Sequence, residues 1–375
     1  QFVLTLAYAT GLEPMQVINT ISAIFGLFSM LAFYALVKTA YDRETALVTL
    51  PFGLVVTGSG YMNPSPYVMS VLLTPFVLYL FFREQVTHSL PIRFALAVMT
   101  IAIVIYHPLT SLFLLIVFVL YSVTRHISGT GLWRMQSNLP KTSGSENISK
   151  VLLAAGVSWY YNFAGIIIRF NSVILNTLNS ERTESTLEST SETVTQTSPE
   201  LVDVLRIALT KYGSDMVLIG LGSLYVTKLL IDRARSRVRT TLFESTFAVG
   251  LSAFVALSVL FLVFNLLVGF GRPAMFAILF GSLLAGPLVL TAYERFGQRK
   301  VVAVTTVILT VLVVVSIFGA FHSPINKEVN QQVTETELDG AKWTIENRER
   351  GVPVEQFGIT VWRFEDAFTG ATNRT

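Results

Sequence analysis

Lys228-Leu-Leu-Ile-Asp-Arg-Ala-Arg-Ser-Arg-Val-Arg-Thr240 crowds Lys228, Arg233, Arg235, Arg237 and Arg239 into one short gap between two apolar runs, Asp215–Ile231 and Phe243–Phe270. The gap before the first run has the opposite sign, with Glu181, Glu184, Glu188 and Glu192. Two gaps later Arg295, Arg299 and Lys300 restore the positive sign. Charge is costly in hydrocarbon, and short basic loops are retained on the cytoplasmic side of a membrane. The alternation therefore predicts an integral membrane protein of many spans, with the Lys228–Thr240 gap inside.

Working outward, the composition agrees. Of 375 residues, 52% are hydrophobic and 14% charged, against about 25% charged in an ordinary soluble domain. The net charge of +3 is divided by side, so it describes cytoplasmic loops and not a nucleic-acid surface. The chain has no Cys, which excludes disulfides, thiolate catalysis and Cys-ligated metals. Its histidines are His88, His107, His126 and His322, too few and too scattered for a multi-histidine centre. Gln1 does not read as a natural start, and the sequence reads as a piece of a longer chain.

Spans are predicted near Met15–Val37, Ala46–Val56, Tyr67–Phe82, Ile92–Tyr106, Leu112–Val123, Val151–Ile168, Asp215–Ile231, Phe243–Phe270, Ala274–Tyr293 and Val301–Phe321. The second and fourth are short enough to be re-entrant instead. Counting ten places all the basic gaps on one face: Arg83 with Arg93, Arg125 through Lys150, and the two already quoted. The fold class is thus an all-α polytopic transmembrane bundle of about ten spans over residues 1–321. Residues 322–375 begin an external α/β domain, with a helix over Glu335–Arg348 and a strand over Phe357–Phe364. The protein is placed in the cell membrane, with loop 171–214 and the C-terminal segment outside. Within that loop Thr177–Glu200 is polar and reads as mobile, and Leu201, Val204, Leu205 and Ala208 predict a short interfacial helix.

No phosphate-binding loop, dinucleotide fingerprint, zinc-protease helix or nucleophile elbow is present. The candidates are polar residues at the outer ends of spans. His107, in Tyr-His-Pro-Leu-Thr, sits in a turn and reads either as a phosphate contact or proton carrier, or as an ordinary helix-turn histidine. Arg272, between Gly271 and Pro273, and Arg169 end spans on the outer face. Orientation does not call for arginine there, so phosphate binding competes with simple interfacial anchoring. Tyr61, Asn63 and Tyr67 form an outer loop suited to a sugar, as does the Trp159-Tyr160-Tyr161-Asn162 cluster. Aromatic-belt packing explains them equally. Glu13 and Asp215 are carboxylates at outer span edges.

In its order of features the chain resembles the C-type (GT-C) multi-span glycosyltransferases, which include oligosaccharyltransferase catalytic subunits and protein mannosyltransferases, and especially archaeal relatives. The resembling elements are Ala9-Thr10-Gly11-Leu12-Glu13-Pro14 before a long span, short paired spans with Gly and Pro in their outer turns, and a long external loop. Gly271-Arg272-Pro273-Ala274-Met275-Phe276 opens a late span, and Glu337-Leu338-Asp339-Gly340-Ala341-Lys342-Trp343 follows the last. The resemblance implies transfer of a sugar from a polyprenyl-phosphate-linked donor outside the cytoplasm, with membrane lipids as surroundings. It places the catalytic carboxylate before Gln1 and sets Arg272, with His107, beside the leaving phosphate; the residue readings above add Arg169, Tyr61 and Asn63 as substrate-binding candidates. It admits a divalent metal, although the sequence shows no ligand cluster. A flippase or permease for a lipid-linked or polar solute, and a non-catalytic scaffold, remain open on the residues alone.

Overall fold

In the computed structural model, residues 2–61, 66–129, 145–161, 201–235, 240–264, 270–320 and 335–347 are described, and all regular structure among them is helical. The helices are α1 (Phe2–Thr10), α2 (Pro14–Ala40), α3 (Arg43–Tyr61), α4 (Pro66–Thr87), α5 (Leu90–Tyr106), α6 (Pro108–Gly129), α7 (Ser145–Tyr161), α8 (Leu201–Ala234), α9 (Leu242–Phe264), α10 (Gly271–Phe296), α11 (Gln298–Ala320) and α12 (Glu335–Asn347). The chain divides into two compact units, Gln1–Ala320 and Phe321–Thr375. In the second unit α12 matches the helix predicted around Trp343. The predicted strand Phe357–Phe364 and the polar segment Thr177–Glu200 lie outside the described residues.

Among the described residues seven helices, α2, α4, α6, α8, α9, α10 and α11, are long and apolar enough to cross a membrane, so this is a multi-pass helical membrane protein. The other predicted spans also begin as helices: α3, α5 and α7. Helix α5 is apolar but has only 17 residues, about 25 Å of rise. It nevertheless runs the full way back along α4. The ring of His107, which follows α5, lies 5.0 Å from the ring of Tyr67, in the first turn of α4.

One sequence expectation needs correction. The segment after Leu201 is not a separate interfacial helix, because α8 is continuous from Leu201 to Ala234. No proline separates the two parts, and Gly213 costs only about 1 kcal/mol in a helix. Breaking the helix would forfeit several backbone bonds, so it propagates. Asp215 consequently lies within a continuous helix. Pro51, Pro75 and Pro287 likewise sit within continuous helices, as neighbouring helices permit in membrane proteins.

Helix α10 is the centre, packed against α3, α8, α9 and α11. Phe276 through Pro287 are all buried, which explains why this segment is apolar on every face. Its crossing with α8 uses glycine: a Cβ on Gly281 would lie 2.6 Å from the Leu218 carbonyl oxygen, and one on Gly222 would lie 2.7 Å from Gly281 Cα. Small residues let backbones approach, which is how helices associate where lipid supplies no hydrophobic drive. Aromatic rings tie the remaining spans together. Phe81 stacks on Phe118 at 4.4 Å, Phe82 meets Phe243 edge-on at 4.8 Å, and Phe113 meets Phe276 at 5.2 Å.

Polar groups are gathered at the other end of α4. Glu84 is fully buried, and its Oε1 accepts from Arg93 Nε at 2.9 Å and Nη2 at 2.7 Å. Gln85 Nε2 donates to Glu84 Oε2 at 2.7 Å, and Arg125 Nη1 reaches Gln85 Oε1 at 3.4 Å. Arg93, which the sequence offers only as an orientation signal, is thus also an internal partner linking α4 to α5. The start of α9 lies at this same end, since Phe243 touches Phe82. It is closed by a reciprocal cap: Glu244 N–H donates to Thr241 Oγ1 at 3.1 Å, and Thr241 N–H donates to Glu244 Oε2 at 3.3 Å. Tyr225 Oη donates to the same carboxylate from α8.

Candidate functional site

Three helices start at one end of the bundle, and each brings one side chain to a common point. Pro66 and Pro108 open α4 and α6; proline loses no bond there and presets the helical backbone. Gly271 and Arg272 open α10. Tyr67 Oη donates to the Arg272 carbonyl oxygen at 2.6 Å, fastening α4 to α10. The Arg272 guanidinium lies over the Tyr67 ring at 5.4 Å, a cation–π contact worth roughly 0.5–1 kcal/mol when exposed. Tyr67 also neighbours His107, whose ring centroid is 5.0 Å away.

A hydroxyl chain lies behind these rings. His107 Nδ1 is 3.4 Å from Thr110 N and 3.3 Å from Thr110 Oγ1. Thr110 Oγ1 is 2.6 Å from Ser70 Oγ, and Ser70 Oγ donates to the Tyr67 carbonyl at 2.6 Å. His107 therefore occupies the cap position of α6, with Nδ1 facing the free amide of Thr110. Accepting that amide at Nδ1 leaves the proton of the neutral ring on Nε2.

The electrostatics favour an anion. Each helix start carries a partial positive charge near +0.5, and the exposed Arg272 guanidinium adds a full one. Desolvation, with Arg272 as a second cause, pushes the His107 pKa down to about 4. His107 is thus neutral at physiological pH, a donor and not a cation. Among the described residues no group of three or more His, Cys, Asp or Glu is placed to hold a metal ion.

A pH dependence follows. The unfolded imidazole titrates near about 6.5, above the folded value of about 4, so the unfolded chain takes up the proton first. The stability held by the neutral ring is whole above about pH 6.5 and is lost as pH falls toward 4. His107→Asn keeps a cap acceptor but does not titrate. Melting of purified protein across this window should show wild type losing about 1 kcal/mol more than the variant, after allowance for solvent screening.

Of the residues singled out from sequence, the structure brings together Arg272 and His107. Tyr67, read from sequence with the outer loop, joins them as the first turn of α4, and the structure adds Thr110 and Ser70 behind; these two hydroxyls give no signal in sequence. Tyr61 is the last residue of α3, and its side chain is not among the described ones. Asn63, Arg169 and Asn162 lie outside the described residues, and Trp159, Tyr160 and Tyr161 are described only as part of α7.

No family model matches the chain, and no curated protein matches it. It is similar to the crystal structure of the Archaeoglobus fulgidus oligosaccharyltransferase in complex with Zn and sulfate, at 14% identity and a TM-score of 0.49, over 89% of this chain and 44% of that one. It is also similar to the apo form of the same protein, at 13% identity and a TM-score of 0.49, over 89% and 48% respectively. The chain thus spans less than half the length of either structure. Oligosaccharyltransferases are among the enzymes that its sequence layout resembles.

Proposed function

We propose that the chain is the membrane core of a glycosyltransferase that takes a sugar from a lipid-phosphate-linked donor, with the Arg272 end of the bundle facing outside and ten spans in all. The observation that carries this reading is the meeting of Arg272, Tyr67 and His107 at three helix starts. Residues far apart in sequence converge on an electropositive, hydrogen-bond-donating point at a membrane surface. A phosphate there receives the guanidinium fork and the His107 Nε2 proton. As the sugar leaves, negative charge grows on that phosphate, and fixed donors stabilise the growing charge without rearranging. Orientation is supported by the basic gaps, which this arrangement leaves at the opposite end. The base that activates the acceptor is assigned to no described residue.

The test is binding of a polyprenyl phosphate to the purified chain. Arg272→Ala should weaken it by about 1.5–3 kcal/mol, the worth of a charge-assisted contact. Arg272→Lys should be impaired as well, because an ammonium lacks the planar fork. Equal affinity of the lysine variant and wild type, with unchanged melting, would return Arg272 to an interfacial anchor and remove the basis of this reading.

A further inference from the structure

We infer that Ser70 and Thr110 are positioning residues that hold His107 divided between its two neutral tautomers, so that a phosphate arriving at Nε2 selects one of them. The inference rests on the reading of the Arg272 end as a phosphate site and deepens it. The hydroxyl pair decides whether His107 meets its ligand as a donor or as an acceptor.

The direction of the hydroxyl chain follows from counting hydrogens. Ser70 Oγ is 2.6 Å from the Tyr67 carbonyl oxygen, which can only accept. A hydroxyl has one hydrogen, so Ser70 must itself accept at its 2.6 Å contact with Thr110 Oγ1. The single hydrogen of Thr110 is thereby committed to Ser70. Both residues are fully buried, which shields the chain from solvent. What Thr110 Oγ1 presents to His107 is therefore lone pairs.

His107 Nδ1 thus faces two groups of opposite character on one residue. The Thr110 amide, 3.4 Å away, is a donor and requires a bare Nδ1. The Thr110 hydroxyl oxygen, 3.3 Å away, is an acceptor and requires a hydrogen on Nδ1. With its hydrogen on Nε2 the ring takes the amide and leaves the hydroxyl unmatched. With its hydrogen on Nδ1 the ring completes a head-to-tail run through Thr110 and Ser70 to the Tyr67 carbonyl, in which each bond polarises the next. The amide is then unmatched, as first-turn amides are within their own helix. Each form makes one bond that the other lacks, so the two lie close in energy. Interchange keeps the ring neutral: one proton leaves Nε2 for water, and one from water arrives at Nδ1 of the half-buried ring.

The outer nitrogen responds to what fills the site. A phosphate oxygen only accepts, so it takes the form with hydrogen on Nε2. Water or a sugar hydroxyl also donates and suits the bare Nε2 of the other form. A ring divided between the forms binds phosphate less tightly than one locked as a donor, in proportion to the competent fraction. Ser70 and Thr110 therefore restrain the hold on phosphate, which favours release of the spent lipid phosphate.

The experiment is NMR of the ring nitrogens in the full purified chain, with isotope-labelled histidine, near neutral pH where the His107 ring is uncharged. His107→Asn identifies the His107 signals among the four histidines. Without ligand, wild type should show both ring nitrogens between the protonated and bare limits. Thr110→Val removes the acceptor for Nδ1–H, and Ser70→Ala frees the Thr110 hydrogen to turn toward Nδ1; each should lock the hydrogen on Nε2. Thr110→Ser keeps the hydroxyl and should restore the mixture, a rescue that a merely structural role would not produce. A short-chain polyprenyl phosphate should move wild type to the Nε2–H limit. It should bind Thr110→Val about twofold more tightly, the gain for roughly equal populations. A single tautomer in ligand-free wild type, a mixture that survives in Thr110→Val and Ser70→Ala, or a bound lipid phosphate that leaves the mixture unchanged would overturn the inference. Failure of the lipid phosphate to bind at all counts against the reading of the site, while the ligand-free spectra still decide the tautomers.

Discussion

Gly281→Ala is expected to lower the melting temperature of the purified protein sharply, and Gly281→Leu to leave no folded, monodisperse protein to purify. The new Cβ would lie 2.6 Å from the Leu218 carbonyl oxygen and 2.9 Å from its carbon. These are backbone atoms, which cannot rotate aside as a side chain would, so α8 and α10 must move apart. Overpacking a well-filled core costs about 1–3 kcal/mol, and a backbone obstacle places alanine at the upper end. The contrast lies within one helix. Gly222 meets Gly281 Cα at 2.7 Å, whereas Gly220 has nothing within 4 Å. Gly222→Ala should therefore destabilise, while Gly220→Ala should be neutral or stabilising by up to about 1 kcal/mol from helix propensity. Melts of the three alanine variants in one detergent decide it; equal shifts would mean that α8 and α10 do not cross at Gly281.

A comparable loss is expected for Arg93→Met. Glu84 is fully buried, and Arg93 gives it two hydrogen bonds. Removing one member of a buried pair costs about 3–5 kcal/mol, because the other charge is left without compensation. The Arg93 side chain is 42% exposed, so water softens the loss and the low end of that range applies. Replacing both members, with Glu84→Gln beside Arg93→Met, removes the stranded charge and should recover part of the stability. The double-mutant cycle should then show a coupling well above the noise of the single changes. Additive effects would mean that the pair contributes nothing beyond solvation of each group.

Much of the helical layout was legible in sequence because apolar runs bounded by charge are the strongest pattern a membrane imposes. Pro108 marked the start of α6, and His107 the turn before it. What escaped was whatever depended on a partner helix. Tyr67 read as one of several loop aromatics, yet its hydroxyl fastens α4 to α10 across 205 residues of separation. Gly281 is one of 24 glycines, and only the position of α8 shows why it cannot carry a side chain. Arg93 was visible as a charge, but its bond to Glu84 was not. The extent of α8 was not legible for a local reason: the amphipathic spacing of Leu201, Val204, Leu205 and Ala208 reads as a helix in its own right, and nothing in it shows that the backbone continues into the next apolar run.

The linkers around α5 bear on how the chain enters the bilayer during synthesis. Two residues, His88 and Ser89, join α4 to α5, and His107 alone joins α5 to α6. A connection this short gives α6 no freedom to wait in water while α5 settles. At 17 residues, α5 is also at the lower limit of what partitions into hydrocarbon unaided. The Thr110–Ser70 contact at 2.6 Å shows α6 returning onto α4 as the hairpin closes. With one residue between them, α5 and α6 move as a unit, so whatever seats α6 against α4 also fixes α5.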